Sequence, residues 1–183
     1  MRALASLFCL LAAGAWAAPA PVRFTMLPGQ SSIAFEATNN GEKVTGQFTS
    51  FTAGIAFHPE ALEASKAKVT VEMGKFKVSS SEAQATLDTE EWFNVAAFPQ
   101  AVFETQSFKK MGDNRYEAAS TLTIKGHAVP VTLLFTLHEF SDKAAHVTGE
   151  TTLKRKTFQI GWDSTAAVAD DVRVTIDLQV AKE

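Results

Sequence analysis

The side chains of this 183-residue chain with the most evident capacity for chemistry are four histidines, one basic run and a few adjacent acids. His138, Glu139 and His146 could meet across a hairpin, and two histidines plus a carboxylate can hold a divalent metal. Their spacing matches no diagnostic metal motif. Both histidines also share the parity of Thr132, Thr136, Thr148 and Thr152, the pattern of a solvent-facing row. His58 and His127 fall in turns. Glu90-Glu91 and Asp170-Asp171 are sequence neighbours, so on strands they point apart and read as solvated charge. Lys154-Arg155-Lys156 reads either as a rim that meets an anionic head group or as a solvated strand end. The sequence contains no G-x-S-x-G, H-E-x-x-H, phosphate-loop or dinucleotide glycine pattern. The expectation is a protein that is not an enzyme. A lipid-acting or metal-dependent enzyme is the alternative.

The apolar side chains say more. From Val172 to Val180 every second residue is apolar, and the same period recurs along most of the chain, the signature of strands with one dry face. Stepping along the sequence, strands are expected at Ser32–Ala37, Lys43–Phe57, Lys66–Met73, Ala101–Lys109, Tyr116–Ile124, Val129–Phe140, Ala144–Lys154 and Val172–Ala181. Ala18 to Gly29 reads as a leader into the first strand. Asn39-Asn40-Gly41 is a tight hairpin turn. Within Lys43–Phe57 the apolar parity changes phase near Ser50, which a β-bulge would explain. Ser79-Ser80-Ser81 before Glu82 reads as a helix N-cap, followed by a short helical segment to Leu87. Asp88 to Pro99 is irregular and aromatic. Consecutive strands with short turns predict an all-β, up-and-down antiparallel barrel of about eight strands, with a sandwich as the alternative. Parity places Phe35, Phe48, Phe57, Phe103 and Phe135 on the inner face. They read as plain core or as the wall of an apolar pocket, since an eight-stranded barrel either fills with side chains or holds one small ligand.

The ends set the compartment. Met1-Arg2, the apolar run Ala3–Ala13 and Ala15-Trp16-Ala17 form the pattern of a secretory signal peptide over residues 1–17, cleaved after Ala17. The run is shorter than the ~20 residues of a membrane span. Cys9, the one cysteine, lies inside it, so residues 18–183 are expected to form one thiol-free domain held by its core. The mature chain is expected in a bacterial periplasm. Without Arg2 it carries 16 basic and 20 acidic side chains, which excludes a general nucleic-acid binder. It is expected not to span a membrane. A transient contact with a membrane or membrane protein, and oligomerisation, stay open.

Four segments resemble the YceI-like family of secreted lipid-binding proteins. Ser32-Ile33-Ala34-Phe35 with Val44-Thr45-Gly46-Gln47-Phe48 and Phe51 resembles its opening S-x-I-x-F and V-x-G-x-F. Trp92-Phe93-Asn94-Val95-Ala96-Ala97-Phe98-Pro99 with Phe103 resembles F-D-V-x-x-Y/F-P-x-x-x-F. Leu122-Thr123-Ile124-Lys125-Gly126 with Val129-Pro130-Val131 resembles the L-T-I-K-G…P-V hairpin. Leu153-Lys154-Arg155-Lys156-Thr157-Phe158 with Ile160-Gly161 resembles R-x-x-F-G-I, with Gln159 where a glycine is common. The resemblance covers about Phe24 to Ala181. It implies an elongated, lipocalin-like eight-stranded barrel with a helical insertion. It also implies a long isoprenoid lipid, an isoprenoid quinone or a polyprenyl lipid, as the bound molecule. Phe35, Phe48, Phe57, Phe103 and Phe135 would then line the barrel, and Trp92, Phe93, Phe98 and Trp162 would form or gate one end. Leu87 joins this lining from the helical segment. A side-chain-filled barrel acting through its surface is the competing expectation.

Overall fold

The computed structural model describes residues 19–162 and 167–183. The expected leader, its cleavage position and Cys9 lie outside the described residues. Eleven strands are described: β1 (Val22–Met26), β2 (Ser32–Asn39), β3 (Glu42–Phe48), β4 (Phe51–Phe57), β5 (Lys66–Glu72), β6 (Phe76–Val78), β7 (Gln100–Gly112), β8 (Arg115–Ile124), β9 (His127–Phe140), β10 (Ala144–Lys154) and β11 (Asp171–Lys182). A short helix, α1 (Ser81–Thr86), follows β6. Its N-cap is Ser80, whose Oγ accepts the Ala83 N–H at 3.2 Å.

The strands β1, β4, β5, β7, β8, β9, β10 and β11 form a closed antiparallel ring, with β1 joining β4 to β11. The barrel is therefore all-β and eight-stranded as expected, but its eight strands are not the eight read from the alternation. Two corrections account for this. The segment Ala18–Gly29 is not merely a leader, because β1 lies within it and Phe24 is almost fully buried. Val22, Phe24 and Met26 carry the period-two signal on a strand of only five residues. The segment Lys43–Phe57 is not one bulged strand. The chain breaks at Thr49-Ser50, and each piece takes its own partners: β3 pairs with β2 and β6, β4 with β1 and β5. The change of parity near Ser50 marks that step. The strand β6 was also not anticipated.

The strand β11 organises two levels. Its C-terminal residues pair with β1, while Arg173–Asp177 pair with β2 on the same edge. We call the β1 level the lower half and the β2-β3-β6 level the upper half. The β2–β3 hairpin turns at Asn40-Gly41, with φ of 50° and 82°, the positive-φ pair that an Asn-Gly turn supplies at little cost. The core divides in the same way. Phe57, Tyr116, Phe135, Leu137 and Leu178 belong to a lower cluster, and Met73, Trp92, Phe93, Leu153 and Phe158 to an upper one.

Candidate functional site

Inner side chains of the upper half leave a cavity of about 160 Å³ with an apolar lining. β2 contributes Ile33 and Phe35, β3 contributes Phe48, and β11 contributes Val174. Gly46 explains one wall. It stands opposite Phe35 on the paired strand, and a Cβ there would lie 2.2 Å from the Phe35 ring. The missing side chain lets the outer end of the Phe35 ring occupy the space over Gly46, with its centroid 5.5 Å from that of Phe48.

The upper end is closed by the aromatic segment after α1. Leu87, Trp92 and Phe93 point into the cavity from it. Main-chain bonds fasten this cap: Phe93 N–H donates to Leu87 O at 2.9 Å, Met73 N–H to Pro99 O at 2.8 Å, and Gly161 N–H to Glu91 O at 2.8 Å. Phe158 and Ile160 close the remaining side.

Arg155 completes the closure. It is 4 % exposed and, among the described residues, donates to main-chain carbonyls: Nε to Ala169 O (3.0 Å), Nη1 to Ile160 O (2.7 Å) and Gly161 O (2.8 Å), Nη2 to Val168 O (2.7 Å). Its guanidinium also lies 5.6 Å from the Trp92 ring centre, within the range of a cation–π contact. A buried guanidinium offers a planar fork of donors, which here ties two backbone segments together. The basic run is thus neither a rim nor a uniformly solvated end. Lys154 pairs with Asp171, which raises its pKa by hydrogen bonding, and Lys156 is exposed. Sequence reasoning missed the role of Arg155. The available signal was Phe158, an apolar partner three residues on, which argues against a solvated run.

The ten expected lining residues separate into three groups. Phe35, Phe48, Leu87, Trp92 and Phe93 line the upper cavity. Phe57, Phe103 and Phe135 line a second apolar cavity of about 80 Å³ in the lower half. The remaining two line neither. Phe98 packs against Gly126, and Trp162 is 58 % exposed. Trp162 follows the alternation of Phe158 and Ile160, but those residues lie in a 3₁₀ helix and the turn after it rather than on a strand. Parity there carries no inside–outside meaning.

The histidine pair stands on the outer face. The rings of His138 and His146 are 4.9 Å apart. His138 Nε2 meets Thr148 Oγ1 at 2.7 Å, and His146 Nε2 meets Asp177 Oδ1 at 2.9 Å. Among the described residues no three His, Cys, Asp or Glu side chains are grouped to hold a metal. No described helix is long and apolar enough to cross a membrane.

Known proteins share this architecture. The model of the YceI-like domain matches residues 24–180. Protein YceI of Salmonella arizonae is 33 % identical over 123 residues, a match that spans 64 % of this chain and 64 % of that protein, just under two thirds of its length. BcnA of Burkholderia cenocepacia superposes with a TM-score of 0.78 at 25 % identity, covering 84 % of this chain and 98 % of that one. A polyisoprenoid-binding domain from Saccharophagus degradans, implicated in plant cell wall breakdown, gives a TM-score of 0.70 at 11 % identity over 88 % and 99 % of the two chains, a likeness of fold alone. With the domain match running from β1 to β11, and with Gly46 and Arg155 each holding a wall of the same apolar cavity, the chain belongs to the YceI-like family.

Proposed function

We propose that the protein is a periplasmic, non-catalytic carrier that holds or sequesters a long isoprenoid lipid of the quinone or polyprenyl type. The observation that carries this reading is the upper cavity, about 160 Å³ of apolar space walled by Phe35, Phe48, Trp92 and Phe93. An engineered cavity of ~150 Å³ binds benzene, so this one receives one end of the tail, on the order of one five-carbon isoprene unit, with the rest of the lipid outside it. Maintaining such a space dry costs about 4 kcal/mol at ~24 cal/mol per Å³. An apolar tail offsets that cost and adds about 0.8 kcal/mol for each buried CH₂. The family and its polyisoprenoid-binding fold neighbour support a binding role. A barrel filled by side chains describes the lower half better than the upper.

The test is lipid analysis of protein purified from its own host. Native mass spectrometry should show a discrete mass above the protein, and organic extraction should release an isoprenoid near one equivalent. The purified protein should also bind a two-isoprene quinone saturably. Protein without lipid that shows no saturable binding overturns the reading. N-terminal sequencing of the periplasmic fraction should begin at Ala18.

A further inference from the structure

We infer that the isoprenoid tail enters through the side of the barrel, between β9 and β10, and that the Thr151 hydroxyl latches this portal. The inference rests on the carrier reading above. The ladder between β9 and β10 runs from Ala145–Phe140 to Glu150–Leu134 and stops there. Beyond that point β9 remains paired with β8 up to His127, and β10 with β11 up to Lys154. Each of these two upper-half segments is thus paired on one edge only. The ladder's register places Thr132 opposite Thr152 across the slit. Pro130, which has no N–H, cannot resume the ladder. One bond crosses the gap: Thr151 Oγ1 donates to Thr132 O at 2.8 Å.

The slit opens into a surface groove of about 550 Å³. Leu153 and Phe158 line both this groove and the upper cavity, so they stand between outside and inside, beside Val129 and Val131, which line the groove and pack against the upper core. Leu134, half exposed, and Pro130 form an apolar outer lip. Among the described residues, Arg155 and the Glu91–Gly161 bond fasten the upper end. An extended peptide is a poorer occupant, because a single threonine side chain bridges the strands. A flexible hydrocarbon tail needs no backbone partner.

The experiment times loading. A Thr132→Cys/Thr152→Cys variant is closed by a disulfide, or by a short bis-maleimide if the thiols stand too far apart. Stopped flow then follows quenching of Trp92 by a two-isoprene quinone, in a Trp162→Phe background. The bridged protein should load at least tenfold more slowly with unchanged equilibrium affinity, and reducing the disulfide should restore the rate. Thr151→Val, which removes the latch, should load several-fold faster. Opposite changes in rate distinguish a gate from general damage. Equal rates for bridged and open protein overturn the portal while leaving the carrier reading intact. No saturable binding by the unmodified protein overturns both.

Discussion

The two halves of the barrel are built from the same alternating strands, yet the lower is the more fully packed, with about 80 Å³ of apolar space against about 160 Å³ in the upper. In the lower half Phe57 is the hub, with ring centroids of Phe108, Tyr116, Phe135 and Phe140 between 5.4 and 6.2 Å away. All four pairs meet edge to face, the arrangement that the ring quadrupoles favour. In the upper half Phe35, Phe48 and Phe93 follow one another along the wall, at 5.5 and 6.2 Å, rather than converging. The difference follows from strand pairing. β1 closes the lower ring with continuous ladders. The upper level branches through β2, β3 and β6 and is covered by a loop segment instead of a strand. A closed ring fixes a radius that rings can fill; a branched wall capped by a loop does not.

Truncating one phenylalanine from each half is the sharpest way to break this comparison. Phe57→Ala should lose about 3–5 kcal/mol of stability, the usual range for a packed core phenylalanine. Phe48→Ala, beside the larger of the two cavities, should lose about 1–2 kcal/mol less, while weakening quinone binding. Denaturant unfolding of both variants measures this. Equal losses would mean that the halves are packed alike.

Gly46→Ala acts on the hollow half from the backbone. The added Cβ cannot coexist with the Phe35 ring where it stands, at 2.2 Å. The ring must turn into the cavity, at a cost of about 1–3 kcal/mol for overpacking. Titration with a two-isoprene quinone should show affinity falling at least tenfold, although the substitution lies on backbone and adds one methyl group. Unchanged affinity would place the tail elsewhere.

How much of this was legible depends on where a residue's meaning comes from. Phe35, Phe48, Phe57, Phe103 and Phe135 sit on regular strands, where parity alone determines which side they face, and all five face inward. Trp162 and Arg155 sit beyond the end of β10, where orientation depends on tertiary contacts that no local period encodes. Arg155 reads as one of three adjacent bases, and its burial follows only from four carbonyls that converge from residues five to fourteen positions away. The division into two cavities was also hidden. It follows from β11 sharing one edge between β1 and β2, a property of topology rather than of any strand's own sequence.

The cap of the hollow half offers a smaller test. Gln159 has a φ of 55°, a left-handed conformation that side chains with a Cβ adopt at a cost of about 1–2 kcal/mol. It precedes Ile160 and Gly161, the two carbonyls that Arg155 Nη1 holds. The strain is maintained by that clamp. Gln159→Gly should therefore raise stability by about 0.5–1 kcal/mol, after the greater backbone entropy of glycine in the unfolded chain is subtracted. A loss of stability would show that the Gln159 side chain contributes to the cap.

The packed half should respond to alkali. Tyr116 lies in its core, stacked on Phe135 at 5.2 Å, and burial raises its pKa above 10.0 by disfavouring the charged phenolate. In the unfolded chain Tyr116 titrates near its ordinary value of about 10. The folded state therefore holds this proton more tightly than the unfolded state does. Its contribution is fully present below about pH 10 and declines as pH rises through the higher folded-state pKa. Tyr116→Phe keeps the ring and removes the titration. Stability at pH 7 should change by less than about 1 kcal/mol, as for a nearly volume-conserving swap. Above about pH 10 the variant should lose less stability than the parent as pH rises, measured by denaturant midpoints. Parallel curves would mean that the phenol reaches solvent in the native state, and that the lower half is less tightly packed than its ring geometry implies.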